Sequence, residues 1–141
     1  MTDGTFEKVQ HSDTPLYGPP KLLLCGFPAH TQTTFKSLMK AVGLLDTAVV
    51  WAHEDCADVP LRRLLEQPDG TGADRDSALP RAIIVSGITE NQLHGLMGAC
   101  RQSRMKPSLW AVLTPTSENW TLSSLLDELQ AERNAFARRG S

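Results

Sequence analysis

Four short apolar runs punctuate the chain: KLLLCG at Lys21–Gly26, AVVWA at Ala48–Ala52, AIIVSG at Ala82–Gly87 and SLWAVLT at Ser108–Thr114. Each is bounded by turn residues and three carry β-branched valine or isoleucine, so all four read as strands. None alternates cleanly between apolar and polar positions, so both faces of each strand are expected to be covered. That is the pattern of a largely parallel interior sheet.

Between the runs the period becomes helical. Phe35, Leu38, Met39 and Val42 stand at i, i+3, i+4 and i+7, with Gly43 placed to end the helix. Leu93, Leu96, Met97 and Cys100 repeat that spacing, and Thr89 with Gln92 forms a capping box in which each side chain meets the other's orphan backbone donor. Leu122, Leu125, Leu126 and Leu129 give a third stripe with Phe136 two turns on, Thr121 as candidate N-cap, and Asp127, Glu128, Arg138 and Arg139 arranged as the helix dipole favours. Pro60 introduces a shorter helix over Leu61–Glu66.

The two halves look alike. Gly26 and Gly87 end equivalent strands 61 residues apart, Phe35 and Leu93 open the stripes 58 apart, and VPLRRLLE is answered by WTLSSLLDEL. The expectation is an α/β fold: two βαβα pseudo-repeats forming one four-stranded, mainly parallel sheet covered by helices. A ferredoxin-like α+β arrangement with an extra C-terminal helix is the alternative, and the pattern leaves strand order open. Two polar segments interrupt the regularity. Residues 1–20, with Tyr17-Gly18-Pro19-Pro20, predict a loose N-terminal arm. Residues 67–80, within EQPDGTGADRDSALP, predict a flexible linker inside a single domain over 21–139.

Composition narrows the class. With 141 residues and 40% apolar content the chain can build one core, which excludes a disordered or disulfide-stapled protein. A net charge of −2 argues against nucleic acid as a partner. The first twenty residues hold no signal-peptide apolar region and no run approaches the ~20 residues of a membrane span, so neither export nor a membrane is expected. Cys25, Cys56 and Cys100 are odd in number and lack CxxC spacing, which points to reduced thiols in a cytoplasm.

The stretch from Ala82 to Phe136 carries a family resemblance. Ala111, Val112, Thr114, Pro115, Thr116, Ser117, Asn119 and Trp120 match in order a closing motif A-V-x-T-P-T-S-x-N-W. In this the chain resembles the uncharacterised bacterial domain-of-unknown-function family 3783. The first half is similar more loosely, through Leu22–Phe27 and its Gly26-Phe27 pair, and the chain departs from the pattern in its arm, its linker and Ala131-Glu132-Arg133. The resemblance implies a fold and no mechanism.

Two constellations are candidates for chemistry. The loop after the fourth strand offers Thr114, Thr116 and Ser117 hydroxyls, the Asn119 amide and the Trp120 indole beside a helix start, where open α/β sheets place ligands. A turn fixed by Pro115 and a helix capped by Thr121 use the same residue types, and that plainer reading is preferred. Trp51, Trp110 and Trp120 all read first as core. Cys25 and His30 after the first strand, with His53 and Cys56 after the second, are ligand types that zinc accepts, but C-x4-H and H-x2-C match no standard finger. Neither GxGxxG nor GxxxxGK[ST] occurs, and Ser86-Gly87 lacks the GxSxG context of a nucleophile elbow. The functional expectation is therefore a small non-catalytic module that binds a partner protein or small ligand at the C-terminal edge of its sheet, with no cofactor. The alternative is a small enzyme or metal protein using the Cys/His set.

Overall fold

A computed structural model describes residues 13–139. The first twelve residues of the expected arm lie outside it. The elements are β1 (Lys21–Cys25), α1 (Ala29–Ala41), β2 (Ala48–Ala52), α2 (Leu61–Leu64), β3 (Ala82–Ser86), α3 (Glu90–Gln102), β4 (Leu109–Val112) and α4 (Leu122–Arg139). Short 3-10 turns at Glu54–Cys56 and Ser117–Asn119 precede α2 and α4.

The strands form one sheet in the order β2-β1-β3-β4. β1 pairs parallel with β2, β3 pairs parallel with β4, and the two pairs meet through an antiparallel β1–β3 contact. This is the expected α/β architecture, mixed at its centre. The order is not ferredoxin-like, because each βαβ unit keeps its own two strands adjacent.

Side chains alternate between two cores. Leu22, Leu24, Val49, Trp51, Ile83 and Val85 pack with Phe35 and Met39 of α1 and Leu93 and Leu96 of α3. Leu23, Cys25, Val50, Ala52 and Ile84 pack with Leu61 and Leu64 of α2 and Leu122, Leu125 and Leu126 of α4. Helices on both faces explain why no strand alternates apolar with polar. The capping box forms as expected: the Gln92 amide N–H donates to Thr89 Oγ1, and the Thr89 amide N–H donates to Gln92 Oε1.

One offset relates the halves. Lys21 faces Ala48 and Ala82 faces Leu109, so both parallel pairs have the same register. α1 and α3 both span 13 residues, and α3 starts and ends 61 positions after α1. The fully buried Phe35 therefore corresponds to Leu96, and the 58-residue match to Leu93 is one helical turn off. Over the second core the Leu61 N–H donates to the Trp120 carbonyl at 2.9 Å and the Leu122 N–H to the Val59 carbonyl at 3.1 Å. Gly26, at φ +77, lies where a Cβ would strike Leu79 O, Pro80 C and Arg81 N at 2.4–2.8 Å; Gly87, at φ +70, meets Gly18 O, Pro19 C and Pro20 N at 2.5 Å. The same contact is made twice, each half's glycine against the other's lead-in segment.

Those lead-in segments are more engaged than their composition suggests. From residue 13 the arm is docked: the Leu16 N–H donates to Ile88 O at 2.7 Å and the Gly87 N–H to Tyr17 O at 3.0 Å. Residues 69–77 form a strap along the outer edge of β2. Asp69 Oδ1 accepts from the Val49 N–H at 2.8 Å, Gly70 donates to Val49 O at 2.8 Å, and Thr71 O accepts from the Trp51 N–H at 2.8 Å. Gln32, buried in α1, donates to Arg75 O and accepts from the Asp74 N–H, while Asp76 Oδ1 accepts from the Ala29 N–H. A segment expected as bare linker thus satisfies the edge that β2 would otherwise expose.

Candidate functional site

Because β1 and β3 are antiparallel, the expected single C-terminal edge is two. Residues after β1 and β2 leave the sheet at one end, and residues after β3 and β4 leave it at the other.

At the β4 end, the Thr114 and Ser117 hydroxyls are spent on one another. The Thr114 N–H and Oγ1 both donate to Ser117 Oγ, at 3.0 and 3.1 Å, and the Ser117 N–H donates to Thr114 Oγ1 at 2.9 Å. Ser117 is buried by this knot, while Thr114, Thr116 and Asn119 are exposed. Thr121 Oγ1 accepts from the Ser124 N–H at 3.3 Å, as an N-cap. Trp120 is 36% exposed and is not the core residue that its type suggested. Its carbonyl is committed to Leu61, which turns the indole outwards beside Asn119, Thr121, Ser124 and Glu128 in a shallow depression.

At the β2 end the four candidate metal ligands separate. Cys25 lies in the α2/α4 core, with Cys56 partly buried against the same cluster. His30 is exposed on α1, the helix that packs on the opposite face. Among the described residues no group of three His, Cys, Asp or Glu side chains comes together to hold a metal ion. The thiols are also poor ligands and nucleophiles. Burial pushes Cys25 far above the usual thiol range, with the neighbouring Cys56 adding to it. Burial likewise raises Cys56 and Cys100. Ser86 Oγ is fully buried, in contact distance of Gly18, and has no hydrogen-bond partner among the described residues, so it is closed to substrate.

What the β2 end does form is a cavity of about 370 Å³ between β2, α2 and the strap. Its wall joins Val50, Trp51, Val59 and Leu64 to His53, Asp55, Cys56, Thr71, Gly72 and two arginines, Arg63 and Arg75. His53 is 3% exposed and its Nε2 lies 2.8 Å from Gly72 O. A carbonyl can only accept, so Nε2 carries a proton and donates it to Gly72 O. The positive φ of Gly72 and the 2.1 Å separation of a hypothetical Cβ from Trp51 O explain why a glycine brings that carbonyl to the ring. Arg75 lies 3.9 Å from Asp55, with both side chains well exposed. Sequence reasoning found His53 and Cys56 and missed Arg63, Arg75, Thr71 and Gly72. Nothing in the strap's composition marks it as a wall, since its contacts are made mostly by backbone.

The comparison with known families now has a place to land, because the segment bearing β3, α3, β4 and most of α4 is one complete half of this architecture. Residues 81–136 match the model of the family described as Domain of unknown function (DUF3783). Within this DUF3783 segment lie the Thr114–Trp120 loop and the capping box, whereas the β2-end cavity lies in the other half. No curated protein and no solved structure matches the chain. Among the described residues no helix is long and apolar enough to cross a membrane.

Proposed function

We propose that the chain is a non-catalytic binding module of the bacterial cytoplasm, built from two DUF3783-like units. It takes a small anionic ligand in the cavity at the C-terminal end of β2. The carrying observation is the cavity itself: an apolar floor, a histidine held by the Gly72 carbonyl and two arginines around a volume suited to a small molecule. Arginine's planar fork suits carboxylate or phosphate. Asp55, by pairing with Arg75, holds one guanidinium near the rim until a stronger anion displaces it.

The reading of residues 20–75 as a second, diverged copy of the DUF3783 unit is supported by the shared register, the equal helix lengths and the paired glycine contacts. Duplication leaves one copy free to change, and the cavity lies in the copy that has drifted from the family pattern. A catalytic reading is weaker, because burial raises the Cys25 and Cys56 thiols and, among the described residues, no carboxylate bonds His53 as a nucleophile–base pair requires. Three free cysteines suit a reducing compartment.

Calorimetric titration with inorganic phosphate and with short dicarboxylates tests the function. Saturable binding should weaken at least about tenfold in Arg63→Ala and in Arg75→Ala, the loss expected from one charge-assisted contact. Binding that survives both substitutions, or no binding by any of these anions to the folded protein, overturns it.

A further inference from the structure

A pair of cavities lies where β3 and β4 begin. One, of about 370 Å³, opens between α3 and β4 and is walled by Met97, Cys100, Arg101, Met105, Lys106 and Trp110. The other, of about 160 Å³, is set between α4 and the starts of β3 and β4, with Arg81, Lys106, Leu109, Gln130 and Arg133 in its wall. Lys106 and Pro107 line both, so the two meet along the segment that leads into β4. Their charge is of one sign. Arg81, Arg101, Lys106 and Arg133 border them, no carboxylate does, and the sequence holds no Asp or Glu between Glu90 and Glu118. Among the described residues none of the four cations forms a salt bridge or a side-chain hydrogen bond. The Arg81 guanidinium is the most confined. Its face lies 4.4 Å over the Phe27 ring, and its Nε and Nη1 are buried with no partner among the described residues. Leaving buried donors of a charged group unmet is costly, and an anion would relieve that cost. The helix dipole explains Arg101 at the end of α3 but none of the other three. Nor does the fold require them: Arg81, Lys106 and Pro107 stand where the first half has Pro20, Leu45 and Asp46. Arg104 takes φ +61 where the first half has Gly43 at +81, adding a further charge at a position that suits glycine.

We infer that this face docks a partner protein through an acidic segment that carries one aromatic side chain. The ring enters the larger cavity. Met97 and Met105 adapt their thioethers to such a ring, and the half-buried Trp110 offers an indole for it to pack against. Carboxylates flanking the ring meet Arg101 at one lip and Arg81, Lys106 and Arg133 in the smaller cavity. With its face already on Phe27, the Arg81 guanidinium receives its carboxylate at the edge, where the unmet donors lie. Charge complementarity favours this occupant over the alternatives. A second copy meeting the face symmetrically would set the same four cations against one another. A simple anion fills the smaller cavity but leaves the methionines and Trp110 of the larger one in water. Tryptophan and arginine together are also the residues that most often anchor a protein interface. This docking is independent of the β2-end cavity, whose wall shares no residue with either of these two.

Fluorescence anisotropy of a labelled peptide with one phenylalanine between two runs of glutamate tests this on the full chain. Binding should be saturable, and Lys106→Glu and Arg133→Glu should each weaken it at least about tenfold, the loss of one charge-assisted contact. Both side chains are exposed, so an unchanged urea midpoint reports that each variant is folded. Replacing the peptide's phenylalanine by alanine should weaken binding by a similar factor, while Arg63→Ala at the β2 end should leave it unchanged. No saturable binding, or binding that both charge reversals leave intact, overturns the inference. Binding indifferent to the phenylalanine also overturns it, since that reports charge attraction alone. Tighter binding of single-stranded oligoadenylate, lost in the same two variants, overturns it and assigns the face to nucleic acid. Concentration-dependent dimerisation abolished by Lys106→Glu overturns it and assigns the face to a second copy.

Discussion

Replacing Gly26, Gly87 and Gly43 in turn by alanine separates backbone strain from steric overlap. All three have positive φ, at +77, +70 and +81, so alanine at each carries the left-handed penalty of roughly 1–2 kcal/mol. A Cβ at Gly43 meets nothing within 4 Å, so the penalty is the whole cost there. At Gly26 the new atom would lie 2.4 Å from Leu79 O, and at Gly87 2.5 Å from Gly18 O. These obstacles are backbone leading directly into β3 and β1, and cannot swing aside as a side chain would. Overpacking of this kind adds about 1–3 kcal/mol, giving roughly 2–5 kcal/mol in all. With a urea m-value of about 2 kcal/mol/M, the midpoint falls by roughly 1–2.5 M at Gly26 and Gly87 and by less than about 1 M at Gly43. The two large shifts should also agree within about 0.5 kcal/mol, because each half makes the same contact. A Gly26→Ala midpoint indistinguishable from that of Gly43→Ala, with m unchanged, would show that the lead-in segments yield freely and the paired contacts are not structural.

Phe35 and Leu96 occupy matching, fully buried positions, and Leu96→Ala and Leu126→Ala should each cost about 2–5 kcal/mol in urea denaturation; under about 1 kcal/mol at either site would mean an unpacked helix. Trp120→Ala should cost less than about 1 kcal/mol, and in a Trp51→Phe, Trp110→Phe background iodide should quench the remaining indole strongly; a shielded indole would mean the loop is closed over it. Limited proteolysis should spare residues 69–77 in the folded protein, and Asp69→Ala should open that site to early cleavage. Burial raises the Cys25 thiol, so the folded state keeps its proton while the unfolded thiol, near its ordinary value, loses it. The stability this contributes is present below about pH 8.5 and is lost progressively above it. The urea midpoint should fall between pH 8.5 and 10, and Cys25→Ala should flatten that fall.

The four strands and the stripes of α1, α3 and α4 were legible because helices on both faces demand unbroken apolar runs and period-3.6 stripes, and both survive in the sequence. Thr89 with Gln92 was legible because a capping box is local. The antiparallel β1–β3 junction was not. Crossover handedness fixes each βαβ unit but says nothing of how one unit meets the other. The strap was misread because Asp69, Gly70 and Thr71 pair through backbone and carboxylate groups, which look solvated in composition. Gln32 could have been found. It stands one turn before Phe35 on the buried stripe, and a polar residue there needs partners, which Asp74 and Arg75 supply. Trp120 was assigned to the core on residue type, before the commitment of its carbonyl to Leu61 was visible. The candidate site was half legible: His53 and Cys56 line the cavity, but no motif or spacing pairs Arg63 with Arg75, which the fold alone brings to one wall.

The proposed binding function is tested most directly by a two-dimensional amide NMR titration of the intact chain with phosphate and with short dicarboxylates. The amides of His53, Thr71 and Gly72 and the side-chain Nε signals of Arg63 and Arg75 should shift saturably and together, with a single affinity. A response centred instead on Thr114–Trp120, or a folded spectrum that none of these anions changes, would contradict the assignment of the β2-end cavity as the binding site.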